Sequence, residues 1–92
     1  MKFKKINLGI TGCMGRMGQQ IIKSTKFDNN FKIVSLTESR KINKKIDGIE
    51  IDLNTERSLE KTNLIIDFTV PKCTFQILKI ASKLKKKEMR RI

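Results

Sequence analysis

Ninety-two residues with a formal net charge of +12 and an apolar share of 38% describe one small, Lys-rich globular domain rather than a disordered tail. Such a charge first raises nucleic acid or an anionic membrane as a partner. The texture argues against both. Lysines are scattered, Ile and Asn are abundant as in AT-rich coding, and the one dense cluster (Lys83, Lys85, Lys86, Lys87, Arg90, Arg91) has no interleaved aromatics to stack on bases. With no His, imidazole acid–base chemistry is excluded, and Cys13 and Cys73 match no metal spacing. Both cysteines fit a reduced, cytoplasmic compartment as small apolar residues. The stretch from Met1 to Cys13 imitates a lipoprotein leader, but Asn7 and Gly9 interrupt its short apolar run. No segment is long enough to span a bilayer.

In chain order, Ile6 to Ile10 is an apolar run leading directly into glycines, which predicts a buried strand. From Arg16 to about Lys26, Met17, Ile21 and Ile22 share one helical face, with Gln and Lys opposite. Asp28-Asn29-Asn30 reads as a turn, and Phe31 to Leu36 as a second strand. Residues 39–48 are polar and basic and predict a surface loop ending at Gly48. Ile49 and Ile51 alternate with Glu50 and Asp52, as in a short edge strand. A brief helix follows from Thr55 to about Lys61, with Asn54 or Thr55 as its N-cap. Leu64 to Phe68 is the most apolar stretch and predicts an interior strand. Pro71 suits the first turn of a helix that carries Phe75, Leu78, Ala81 and Leu84 inward. The alternation implies an α/β fold: a Rossmann-like parallel sheet with flanking helices, here incomplete.

Gly12-Cys13-Met14-Gly15-Arg16-Met17-Gly18 stands between the first strand and the first helix. Gly12 permits a tight turn, Gly15 lets backbone approach a pyrophosphate, and Gly18 lets the helix pack closely on the strand. The helix N-terminus then offers free N–H groups and a positive dipole end to an anion. Gln19-Gln20 stand where a P-loop needs Lys and Ser/Thr, so that alternative is excluded. Glu38, just past the second strand, is placed to accept hydrogen bonds from both hydroxyls of an adenine ribose. A tight turn without a ligand, and an ordinary exposed acid, are the bland readings of these two features.

Two stretches resemble one family. Ile10-Thr11-Gly12-Cys13-Met14-Gly15-Arg16-Met17-Gly18 is similar to the G-x-x-G-R-M-G loop of 4-hydroxy-tetrahydrodipicolinate reductases. Ile65-Ile66-Asp67-Phe68-Thr69-Val70-Pro71 resembles their I-D-F-T-x-P segment. The resemblance implies NAD(P)H as cofactor and a site made of Gly12, Cys13, Met14, Gly15, Arg16 and Met17 around the pyrophosphate. Glu38 would hold the ribose, and Phe68 and Thr69 would border the cleft. Arg16 reads equally as a solvated side chain, and Met17 as helix core that also touches the cofactor. Members often carry a basic residue directly after the acid, against a 2′-phosphate. Here Ser39 stands there and Arg40 one place later, so NADH is expected to bind at least as well as NADPH.

The family continues into a G-T-T-G loop and a catalytic, oligomerising substrate domain, and nothing in this sequence resembles them. No catalytic and no metal-binding residue is therefore assigned. Residues 1–84 are expected to form the dinucleotide-binding domain and residues 85–92 a basic tail, with Lys85-Lys86-Lys87 suggesting a slippage site and an out-of-frame end. Two rivals remain open. Thr11 to Gly18 also fits the T-G-x-x-G-x-x-G loop of short-chain dehydrogenases, with Asp52-Leu53 like their acidic pair. A non-enzymatic dinucleotide-binding module, or the product of a decaying gene, fits as well.

Overall fold

A computed structural model describes residues 5–69, 71–84 and 88–91 of the chain. The expectations that fall on Met1–Lys4, Val70, Lys85–Lys87 and Ile92 lie outside the described residues. Among the described residues six strands and three helices follow in the order β1 (Ile6–Thr11), α1 (Arg16–Lys26), β2 (Phe31–Glu38), β3 (Lys45–Ile46), β4 (Ile49–Leu53), α2 (Glu56–Leu59), β5 (Leu64–Asp67), α3 (Pro71–Leu84) and β6 (Glu88–Arg91). One sheet takes them all, ordered β3-β4-β2-β1-β5-β6, and every pairing is parallel except the β3–β4 hairpin. This is the predicted Rossmann-like α/β fold.

The side chains of β1 divide the molecule into two layers. Leu8 and Ile10 pack with Ile22 of α1, Leu36 of β2 and Ile51 of β4. Gly9, pointing the other way, faces Leu59 and Thr62, where a β-carbon would come within 2.7 Å of the Thr62 methyl. On that second face Leu59 of α2, Ile65 of β5, and Ile77 and Ala81 of α3 form a smaller core. Thr55 caps α2 as expected: its hydroxyl accepts from the Ser58 N–H while Ser58 Oγ accepts from the Thr55 N–H.

Four elements differ from the sequence reading. The polar stretch 39–48 is not all loop, because Lys45 and Ile46 turn back on Glu50 and Ile49 through Asp47 (φ 50°) and Gly48 (φ 81°). Two positive φ values between paired residues match a type I′ hairpin, which Asp-Gly favours. β4 is consequently not the sheet edge, being paired to β2 on one side and β3 on the other. On α3 the inward face is Thr74, Ile77 and Ala81, with Ile80 and Leu84 packed alongside, whereas Phe75 (69% exposed) and Leu78 (47%) face outward. Of the predicted stripe, Ala81 and Leu84 do lie inward, while Phe75 and Leu78 give way to Thr74 and Ile77, Thr74 being drawn inward by a buried carboxylate. Lastly, four residues of the expected tail, Glu88–Arg91, form β6, parallel to β5 in the register Leu64↔Glu88 to Asp67↔Arg91. Backbone pairing of this kind needs no apolar sequence, which is why a charged stretch concealed it.

Candidate functional site

The strand order reverses at β1: the chain leaves it through α1 toward β2, and returns through α2 to place β5 on its other side. A cleft at the carboxyl ends of strands is expected at that switch point. The loops after β1 and β5 meet there. Gly12 takes φ +68°, and a β-carbon on it would stand 3.0–3.1 Å from the backbone of Phe68 and Thr69. Phe68 N–H in turn donates to the Thr11 carbonyl at 3.1 Å. A side chain at position 12 would therefore be strained by conformation and blocked by contact.

The glycine loop is fastened before any ligand is considered. Gly12 N–H and Cys13 N–H both donate to the Thr37 carbonyl (2.9 and 3.3 Å), and Gly15 N–H to the Gly12 carbonyl (3.2 Å). Met14 N–H donates to Glu38 Oε2 at 2.7 Å. Helix α1 starts from Gly15 with no side-chain cap and no acid in its first turn. The amides of Arg16, Met17 and Gly18 thus have no acceptor within the described residues. Three open N–H groups at the positive end of an 11-residue helix are the donor set that suits an anion. Gly15 leaves it accessible, since a β-carbon there would meet only the Gly12 carbonyl oxygen, at 3.5 Å. Gly18, by contrast, is a packing glycine: a β-carbon would lie 2.8–2.9 Å from Gly12 and Cys13 backbone atoms.

The sequence-selected residues stand where β1, β2 and β5 end and α1 begins, in different surroundings. Gly12 and Cys13 are buried and Met14 half-buried, while Gly15, Arg16 and Met17 are exposed. Met17 is 49% exposed, which corrects its reading as helix core; Gly18 and Ile22 occupy the inward positions of α1. Glu38, Phe68 and Thr69 are half-buried at the strand ends, and Ser39 and Arg40 are exposed beyond them. Burial and the neighbouring Glu38 carboxylate push the Cys13 thiol up to about 11, so it stays protonated at neutral pH. A crevice between Ile22, Phe31, Ile33, Leu36 and Ile49 includes none of these residues.

A polar network under the cleft went unpredicted. Asp67 is fully buried and accepts from Thr11 Oγ1 (2.7 Å), Thr69 N–H (2.9 Å), Thr69 Oγ1 (2.5 Å) and Thr74 Oγ1 (2.6 Å). Burial alone would push its carboxyl up. The Thr69, Thr74 and Thr11 hydroxyls and the Thr69 amide outweigh that and hold it below the ordinary carboxylate range. It joins the ends of β1 and β5 to the first turn of α3. The signal was an acid ending an otherwise apolar strand, since a carboxylate buried there must find donors.

Parallel order, switch-point cleft and open-ended glycine loop define a Rossmann-like domain. Among solved structures, a Rex-family repressor shares the fold, with a TM-score of 0.78 at 15% identity over 97% of this chain and 53% of that one. Residues 6–89 match the family described as dihydrodipicolinate reductase, N-terminus, and the chain belongs to that family. It is 66% identical over 84 residues to the 4-hydroxy-tetrahydrodipicolinate reductase of Pelagibacter ubique (strain HTCC1062), covering 91% of this chain and 33% of the relative. It is 31% identical over 90 residues to that of Wolbachia pipientis wMel, covering 88% and 34%. The chain thus spans about a third of the length of the curated relatives it matches. Family membership decides against the short-chain dehydrogenase reading.

Proposed function

We propose that this chain binds the nicotinamide dinucleotide of a cytoplasmic 4-hydroxy-tetrahydrodipicolinate reductase, in lysine biosynthesis through diaminopimelate. The observation that carries the reading is the set of open Arg16, Met17 and Gly18 amides beside the Glu38 carboxylate, in a chain of that family. The residues present fit the cofactor. The amides would take the pyrophosphate, Glu38 a ribose hydroxyl, and Phe68 and Thr69 would border the nicotinamide side of the cleft. When bound, the cofactor supplies a hydride from its reduced nicotinamide ring; the protein orients it and excludes water.

Glu38 repels a 2′-phosphate and Ser39 offers no countercharge, so NADH is proposed to bind at least as well as NADPH. The 92 residues alone are proposed not to turn over substrate, since they contain no His to donate a proton. Gly15→Val tests the site. The side chain enters the open side of the loop, so circular dichroism should show an intact fold while calorimetry shows at least tenfold weaker NADH binding. Unchanged affinity in the folded variant would remove the pyrophosphate from this loop.

A further inference from the structure

Of the four loop amides already engaged, one is held by a side chain. Thr37 and Glu38, the last two residues of β2, receive three of the N–H groups that follow β1: two on the Thr37 carbonyl and one on the Glu38 carboxylate. The carboxylate bond, at 2.7 Å, is the shortest of the three, against 2.9 and 3.3 Å. An N–H bond to an ionised acceptor is about twice as strong as a neutral one. Beyond Met14 the chain makes the Gly15 turn and exposes the three open amides of α1. Glu38 Oε1 has no hydrogen-bond partner among the described residues.

The geometry points to Glu38 as a positioning residue for the phosphate-binding loop, fixing it through Met14 N–H in the shape that presents the Arg16, Met17 and Gly18 amides. This role is additional to the ribose contact and rests on the dinucleotide-binding reading above. A carboxylate serving the ribose alone could turn away from an incoming 2′-phosphate. Glu38 cannot do so without stranding the half-buried Met14 N–H, so loop shape and nucleotide choice are coupled through one side chain.

Two substitutions separate the roles. Glu38→Gln removes the charge but keeps a carbonyl oxygen that can accept from Met14 N–H. Glu38→Ala keeps no acceptor. The 92-residue chain and both variants would be titrated with NADPH and NADH, the fold being followed by circular dichroism. Loop positioning requires that Glu38→Ala bind NADPH at least tenfold more weakly than Glu38→Gln does. If the carboxylate acts on the ribose alone, Glu38→Ala leaves the Met14 amide exchanging as slowly as in wild type, which overturns the proposal whatever the two affinities. Amide hydrogen exchange is read in parallel. Met14 should exchange at least tenfold more slowly than the exposed Arg40 and Lys41 amides in wild type and in Glu38→Gln, and equally fast rates would also overturn it. A chain that binds neither nucleotide while Met14 stays protected would refute the dinucleotide reading and leave the loop brace standing.

Discussion

The two faces of the sheet are built on different physics. Against α1 lies an apolar core of Leu8, Ile10, Cys13, Ile22, Leu36 and Ile51, widened by partly buried Ile21, Ile33 and Ile66. Against α2 and α3 the apolar core among the described residues is Leu59, Ile65, Ile77 and Ala81, with partly buried Ile80 and Leu84 packed against it. The buried positions around it include Thr11, Thr62, Thr74 and Asp67. Non-directional burial supplies stability on the first face, where shape matters more than orientation. On the second face directional bonds to one carboxylate fix the ends of β1, β5 and α3, the elements that shape the cleft. The domain places its directional bonds where the proposed site is and its bulk stabilisation behind it.

The largest test of that contrast is Leu36→Ala on the α1 face. Leu36 is 1% exposed, and truncating such a side chain typically costs about 2–5 kcal/mol. Against a total of about 5–15 kcal/mol for a natural domain, that should lower the urea midpoint steeply and leave much of the chain unfolded. A loss below about 1 kcal/mol would show that the apolar face is not the main source of stability.

Asp67→Asn should cost less, about 1–3 kcal/mol, because one amide oxygen can still accept from Thr11 or Thr69 while the NH2 group faces the Thr74 hydroxyl. Its signature is pH dependence. The folded carboxyl lies below its ordinary value, so the contribution is fully present above the unfolded pKa of about 3.9 and lost as pH falls through the folded pKa. The stability gap between wild type and Asp67→Asn should therefore be constant from neutral pH to about 5 and close on acidification below about 4. A gap that stays open at acid pH would mean that the ionised network is not what Asp67 contributes. NADH affinity should fall with the same substitution, since Thr69 and Phe68 lose their anchor.

Legibility in the sequence followed the same division. Apolar periodicity located β1, α1, β2, β4 and β5 and the glycine loop between the first two, because those signals come from burial and from backbone geometry that only Gly allows. It failed where a polar group set the phase. On α3, Thr74 rather than Phe75 faces inward because Asp67 recruits its hydroxyl, a contact between residues that no helical stripe encodes. Met17 was read as core from its spacing, yet the inward place on that turn belongs to Gly18, which lets α1 approach Gly12. The β3–β4 hairpin was available in Ile46-Asp47-Gly48-Ile49, an Asp-Gly pair between two apolar residues, but charge at Lys44 and Lys45 masked it. β6 was hidden for a different reason, since its place is set by pairing to β5.

The smallest effect is expected at Thr37→Val, and it sharpens the comparison most. Thr37 lies beside Thr11 in the register of β2 and β1, equally buried. The hydroxyl of Thr11 donates to Asp67, whereas that of Thr37 has no hydrogen-bond partner among the described residues. A buried hydroxyl without a partner has given up its water without compensation. Val keeps the shape of Thr with a methyl in place of the hydroxyl, and the Thr37 carbonyl that holds Gly12 and Cys13 belongs to the backbone and stays. Thr37→Val should therefore shift stability by no more than about 0.5 kcal/mol, or raise it. Thr11→Val, removing a donor to the carboxylate, should cost about 1 kcal/mol or more. Paired urea melts measure both. Equal losses from the two substitutions would show that polarity of the face, rather than the Asp67 network, is what the domain needs there.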